Sequence, residues 1–156
     1  MAVVDLTDLP AALPPGAPVA GLDLGEKTIG VAVSDAGRVI ASPLALIRRT
    51  KFTADAAELF RLMEGRGAAG LVIGLPVNMD GSEGPRCQSV RAFARNLTRL
   101  KDLPIAFWDE RLSTEAANRL LIGEADTSRA RRAALVDKTA AAWILQGALD
   151  RLRTGL

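Results

Sequence analysis

Residues 19–35 read VAGLDLGEKTIGVAVSD. Two short apolar segments, 19–25 and 29–35, flank the polar stretch Glu26-Lys27-Thr28, the pattern of a β-hairpin. Ala36-Gly37 is a further turn signal, and residues 38–47 form a plausible third strand. Three consecutive antiparallel strands therefore open the domain. Within the first of them Asp23 is out of place. It is flanked by Leu22 and Leu24, and glycines stand two residues away on its own face, at Gly21 and Gly25. Glycine there leaves room for a ligand or a second backbone beside the carboxylate.

The pattern then alternates. Residues 53–64 read as a helix, with Ala56, Leu59, Phe60 and Met63 at helical spacing and Gly65 and Gly67 as its stop. Residues 71–75 form a buried strand, and a loop over 74–84 holds Pro76, Asn78, Asp80 and three glycines. A second helix over 85–101 turns Val90, Phe93, Leu97 and Leu100 inward, and Arg91, Arg95 and Arg99 form a row outside. A strand over 105–110 follows, then a short helix from Ser113 to about Ile122 and a last, alanine-rich helix over 133–152. The order βββ-α-β-α-β-α-α predicts an α/β domain, a mixed sheet flanked by helices. Residues 1–17, with three prolines, read as a flexible arm outside a single domain of 18–156.

Composition narrows the chemistry. The 156 residues include no histidine, no tyrosine and one cysteine, Cys87. Histidine-based triads, histidine-ligated zinc and cysteine-cluster metal sites are excluded, and a lone cysteine suits a reducing cytosol. No signal peptide or stretch of membrane-spanning length is evident, so a soluble cytoplasmic protein with no membrane partner is expected. Net charge is only +2, but 16 of the 20 basic residues are arginine, the planar phosphate binder. Residues 86–132 carry ten bases against six acids, an asymmetry that permits a phosphate-bearing partner; a GC-rich genome would by itself favour arginine over lysine.

If the chain is an enzyme, carboxylates carry the chemistry. Besides Asp23, two acids fall against the pattern. Glu110 sits at the exit of a strand, where α/β folds place their sites. Asp137 lies one and two turns before Ala140, Ala141, Ile144 and Leu145, the face of the last helix that should pack on the sheet. Three acids converging on a sheet fit a hard cation such as Mg²⁺, which takes carboxylates, waters and phosphate oxygens. Singly, each has a bland reading: a turn cap for Asp23, a pair with Arg111 for Glu110, a pair with Arg132 or Lys138 for Asp137.

Four segments resemble one family: residues 21–35; residues 72–82, VIGLPVNMDGS; residues 109–114, DERLST; and residues 136–141, VDKTAA. In this order they are similar to the bacterial YqgF family, also called RuvX, known as Holliday-junction resolvases and as nucleases of the pre-16S rRNA 5′ end. The resemblance spans roughly residues 19–150. It implies an RNase H-like fold with Asp23, Glu110 and Asp137 as catalytic, metal-holding acids for Mg²⁺ or Mn²⁺. It also implies Lys27, Asp35 and Arg111 beside the site, and the 74–84 loop near the active edge.

The expected function is thus a metal-dependent endonuclease on structured nucleic acid, pre-16S rRNA above all, with the small-subunit precursor as the setting. Arg91, Arg95, Arg99, Arg129, Arg131 and Arg132 would hold the backbone. Branched DNA is the alternative substrate, and paired cutting of a junction would require a dimer. Two rivals come from other classes. A kinase of the actin and hexokinase type shares the opening strand-turn-strand, but that architecture needs two such domains. A non-catalytic RNA or transcription-partner module would have little reason to gather three acids facing phosphate.

Overall fold

The computed structural model describes the backbone of residues 3–112 and 129–154, and the side chains of 3–112 and 140–154. Its sheet contains β1 (Val19–Leu24), β2 (Thr28–Ser34), β3 (Ala41–Arg48), β4 (Gly70–Leu75) and β5 (Ile105–Asp109) in the order β3-β2-β1-β4-β5. β1 pairs antiparallel with β2, and β2 with β3, whereas β4 is parallel to both β1 and β5. The expected mixed α/β architecture is what forms.

Side-chain alternation sorts the sheet into two faces. Ala20, Leu22 and Leu24 of β1, with Leu71, Ile73 and Leu75 of β4, pack under α1 (Phe52–Arg66) and α2 (Pro85–Leu100). Val19, Val72, Ala106 and Trp108 point the other way, to α3 (Arg129–Thr154), whose Ala141, Ile144, Leu145, Ala148 and Leu149 are buried. The last helix thus docks through the small-residue face predicted for it. Gly21 permits this close approach: a Cβ there would lie 2.7 Å from Leu145 Cβ and 3.2 Å from the Ala141 carbonyl oxygen.

Three expectations are corrected. The third strand starts at Ala41 rather than residue 38, because the chain first makes a turn in which Arg38 takes a left-handed φ of 56°. The Asp35 carboxylate accepts the amides of Val39 and Ile40 and holds that turn closed. Leu100 is 54% exposed, since it ends α2 beyond the sheet; Cys87, Val90, Phe93, Ala94 and Leu97 form the buried side.

The N-terminal segment is not a loose arm from Val3 onward. Val3 bridges to Ile105, two short 3₁₀ turns follow (Leu6–Asp8 and Pro10–Ala12), and Leu9 and Leu13 are buried in the α3-side core. Arg38 ties it down by donating to the carbonyls of Pro14 and Ala17. Two leucines four residues apart are too few to read as periodicity, and the prolines that suggested looseness instead preset the turns.

Candidate active site at the carboxyl edge of the sheet

β1, β4 and β5 run parallel, so their carboxyl ends share one edge of the sheet, where open α/β sheets hold ligands. Asp23 occupies the second-last position of β1 and faces the α3 side, in step with Val19 and Gly21. Register pairs Leu22 with Ile73, so Gly74 follows beside Asp23 on β4. Gly74 has no side chain, and Glu110 fills that space: a Cβ at Gly74 would lie 2.6 Å from Glu110 Oε1. Glu110 itself opens a helical turn directly after β5, which swings its carboxyl back over the sheet.

The two carboxyls hydrogen-bond to each other. Burial, then the negative charge of Asp23, pushes Glu110 up to about 7, while the nearby Arg86 guanidinium opposes the rise. Two half-buried carboxyls this close disfavour full ionisation of both, and an opposite charge between them would relieve that repulsion. A hard divalent ion would supply that charge, so the donor chemistry fits the metal the sequence implied.

The other predicted residues divide. Position 137 lies on α3 one turn before Ala141, whose carbonyl borders Gly21. The side chain of Asp137 lies outside the described residues, as do those of Arg129, Arg131 and Arg132; the helix expected from Ser113 to Ile122 does too. Lys27 is exposed in the β1–β2 turn at the same edge as Asp23.

Asp35 is not beside the site. Ala20 pairs with Val33, which puts Asp35 past the opposite end of the hairpin, where it caps the turn before β3. The motif brought it close in sequence, and antiparallel pairing carried it away.

Arg111 does pair with an acid, but with Asp109 on the other face. Its guanidinium grips both Asp109 oxygens, at 2.6 Å for the shortest contact, and donates to the carbonyls of Asn78 and Met79. It thereby pins the loop after β4 to the end of β5. That loop is further stiffened by Asp80, whose carboxylate accepts the amide and hydroxyl of Ser82.

Of the arginine row, Arg91 is bound by Glu83 in a two-pronged pair and stands 5.0 Å over the Phe107 ring. Arg95 and Arg99 are exposed and lead down α2 away from the edge. Sequence reasoning missed Gly74 and Arg86. The signals were a glycine inside an otherwise apolar strand and a base in the first turn of the helix after a glycine-rich loop.

A family model described as "RuvX: Holliday junction resolvase" matches residues 17–151. The chain belongs to the RuvX family. It is 77% identical over 154 residues to a protein of Phenylobacterium zucineum named "Putative pre-16S rRNA nuclease", covering 98% of this chain and 99% of that one. Relatives with the same name occur in Caulobacter vibrioides (67% identical; 98% and 99% covered) and Rhodospirillum rubrum (64%; 97% and 94%). Among solved structures, Thermus thermophilus RuvC in complex with a Holliday junction superposes with a TM-score of 0.51 at 14% identity, covering 89% of this chain and 96% of that one. The RuvX chain therefore has the RNase H-like fold that the resemblance implied. Among the described residues no helix is long and apolar enough to cross a membrane.

Proposed function

We propose that this RuvX protein is a divalent-metal-dependent endonuclease that matures the 5′ end of pre-16S rRNA. The observation that carries the reading is the Asp23–Glu110 acid pair, set over Gly74 at the carboxyl edge of an RNase H-like sheet. The names of relatives 64–77% identical over nearly the whole chain favour rRNA as the substrate.

Asp23 and Glu110, with Asp137 as the expected third acid, would hold Mg²⁺ or Mn²⁺, which supplies Lewis acidity toward a phosphodiester and a nucleophile at neutral pH. The chain's own groups prepare that chemistry. Gly74 lets the two carboxyls stand together, and Glu110 gives up its Oε proton as the donor set becomes fully ionised. Lys27 and Arg86, placed at the same edge, meet the phosphate negative charge. Exposed Arg95 and Arg99 add backbone affinity without sequence readout, and the expected Arg129, Arg131 and Arg132 extend that role along α3.

The test is a cleavage assay of wild type and Asp23→Asn on a pre-16S 5′-leader RNA and a four-way DNA junction, each with Mg²⁺, Mn²⁺ or EDTA. Metal-dependent cutting of the RNA, abolished in the variant, is the expected result. Paired cutting of the junction alone would make the enzyme a resolvase, as the family description has it. No cutting of free RNA, of junction or of RNA in the small-subunit precursor would replace the enzyme by a binding module.

A further inference from the structure

A cavity of about 220 Å³ opens at the same sheet edge, on the α1–α2 side. Gly25 and Glu26 of the β1–β2 turn, Arg49 after β3, and Arg86, Ser89 and Phe93 of α2 line it. Its volume equals that of about seven waters at ~30 Å³ each. One nucleobase or one ribose phosphate fits, whereas drug-sized ligands occupy pockets of ~300 Å³ or more.

The walls are chemically divided. Arg49 is fixed in place: it donates to the Gly25 carbonyl at 2.7 Å and stands 5.8 Å over the Phe93 ring. A planar cation backed by an aromatic ring is a stacking surface for a base. Arg86 is exposed, and among the described residues no ion pair engages it. Its positive charge reaches both the cavity and Glu110. Glu26 and Ser89 add an acceptor and a hydroxyl, able to meet amino or ribose hydroxyl groups.

The cavity is also next to the acids along the chain. Asp23 and Gly25 are two strand residues apart, roughly 6.6 Å. The acids face the α3 side and the cavity the α1–α2 side of this one edge. A strand whose phosphate lies at Asp23 and Glu110 would therefore cross the edge beside Gly25 to place its neighbouring nucleotide at the cavity mouth.

We propose that this cavity is a nucleotide subsite of the nuclease: it takes the base of the residue adjoining the scissile phosphate on Arg49, with Arg86 on the intervening backbone. The inference rests on the nuclease reading above and assigns it a specific place for one substrate nucleotide. Because Arg49 stacks and Glu26 and Ser89 hydrogen-bond, the subsite favours an unstacked, single-stranded nucleotide over a paired one.

The experiment pairs kinetics with binding. Wild type, Ser89→Trp and Arg49→Ala are compared for KM and kcat on the cleaved RNA, and for the affinity of a labelled single-stranded RNA in EDTA by fluorescence anisotropy. Ser89 is exposed, so a tryptophan there fills the cavity without disturbing the core. Both variants should raise KM and the Kd for RNA about tenfold, with kcat within about threefold, the scale of one lost base stack. Wild-type KM and Kd in both folded variants would overturn the subsite. Weaker RNA binding in the variants, with no cutting by wild type, would uphold the subsite and reject the nuclease. Adenosine 5′-monophosphate supplies the last arm: competition with RNA supports a substrate subsite, while activation of cleavage would reassign the cavity to a free nucleotide.

Discussion

The Glu110 carboxyl occupies the space that a side chain at Gly74 would take, with Oε1 2.6 Å from where that Cβ would stand. Asp23, beside Gly74 on the neighbouring strand, completes the acid pair. Gly74→Ala should therefore displace Glu110 and the flexible end of Ile144, which a Cβ would meet at 2.5 Å, while the fold persists. Cleavage should fall on the order of 100-fold, the usual cost of a misplacement near 1 Å. Far-ultraviolet circular dichroism alongside the rate measurement separates this from unfolding, and wild-type activity in the alanine variant would refute the arrangement.

Gly21 is a different case, because its neighbours are a Cβ and a backbone oxygen of a helix rather than the end of a side chain. A methyl group there meets Leu145 Cβ at 2.7 Å, and only a shift of α3 relieves it. Gly21→Ala should cost about 1–3 kcal/mol, read from urea denaturation, the range seen when a packed core is overfilled. Position 137 rides on the same helix, so activity should drop more than the loss of folded protein explains.

The pH dependence follows from Glu110. Its carboxyl binds a proton more tightly folded than unfolded, titrating at about 7 instead of the ordinary 4.5. Between those values the folded state holds more protons, so in EDTA stability should fall as pH rises from about 4.5 to 7 and then level off. Glu110→Gln should flatten that slope. Mg²⁺ should stabilise wild type more at pH 8 than at pH 5, since cation and proton compete for the same oxygens. Melting temperatures at four pH values, with EDTA or Mg²⁺, check both statements.

Arg111 joins the end of β5 to the loop after β4 through Asp109 and two carbonyls. Arg111→Ala should loosen residues 78–82 and speed their amide hydrogen exchange, with little effect on global stability because the pair is partly exposed. Lysine should not rescue it, because a point charge cannot grip both Asp109 oxygens and the carbonyls together. Equal exchange in wild type and Arg111→Ala would show that the Asp80–Ser82 contacts alone hold the loop.

Much of this was legible along the chain. The hairpin around Asp23 follows from two apolar runs broken by a polar turn, and the alternation after it sets the mixed sheet. The α3 face was readable because Ala140, Ala141, Ile144 and Leu145 stand at helical spacing from Asp137. Asp23 was visible as a charge inside an apolar strand, and Glu110 as an acid at the exit of a strand. These are local signals, carried by residues a few positions apart.

What lay beyond the sequence depends on contacts between distant segments. Asp35 sits twelve positions after Asp23 in one motif, yet the β1–β2 register sends it to the far end of the hairpin. Arg91 read as a free phosphate binder and Arg111 as a residue beside the site, open to an acid such as Glu110 or a phosphate, but Glu83 and Asp109 claim them. The proline-rich start reads as loose, yet burial of Leu9 and Leu13 under the sheet anchors it. Local pattern chooses the elements; only their packing decides which charges end up paired, which face one another, and which remain for a substrate.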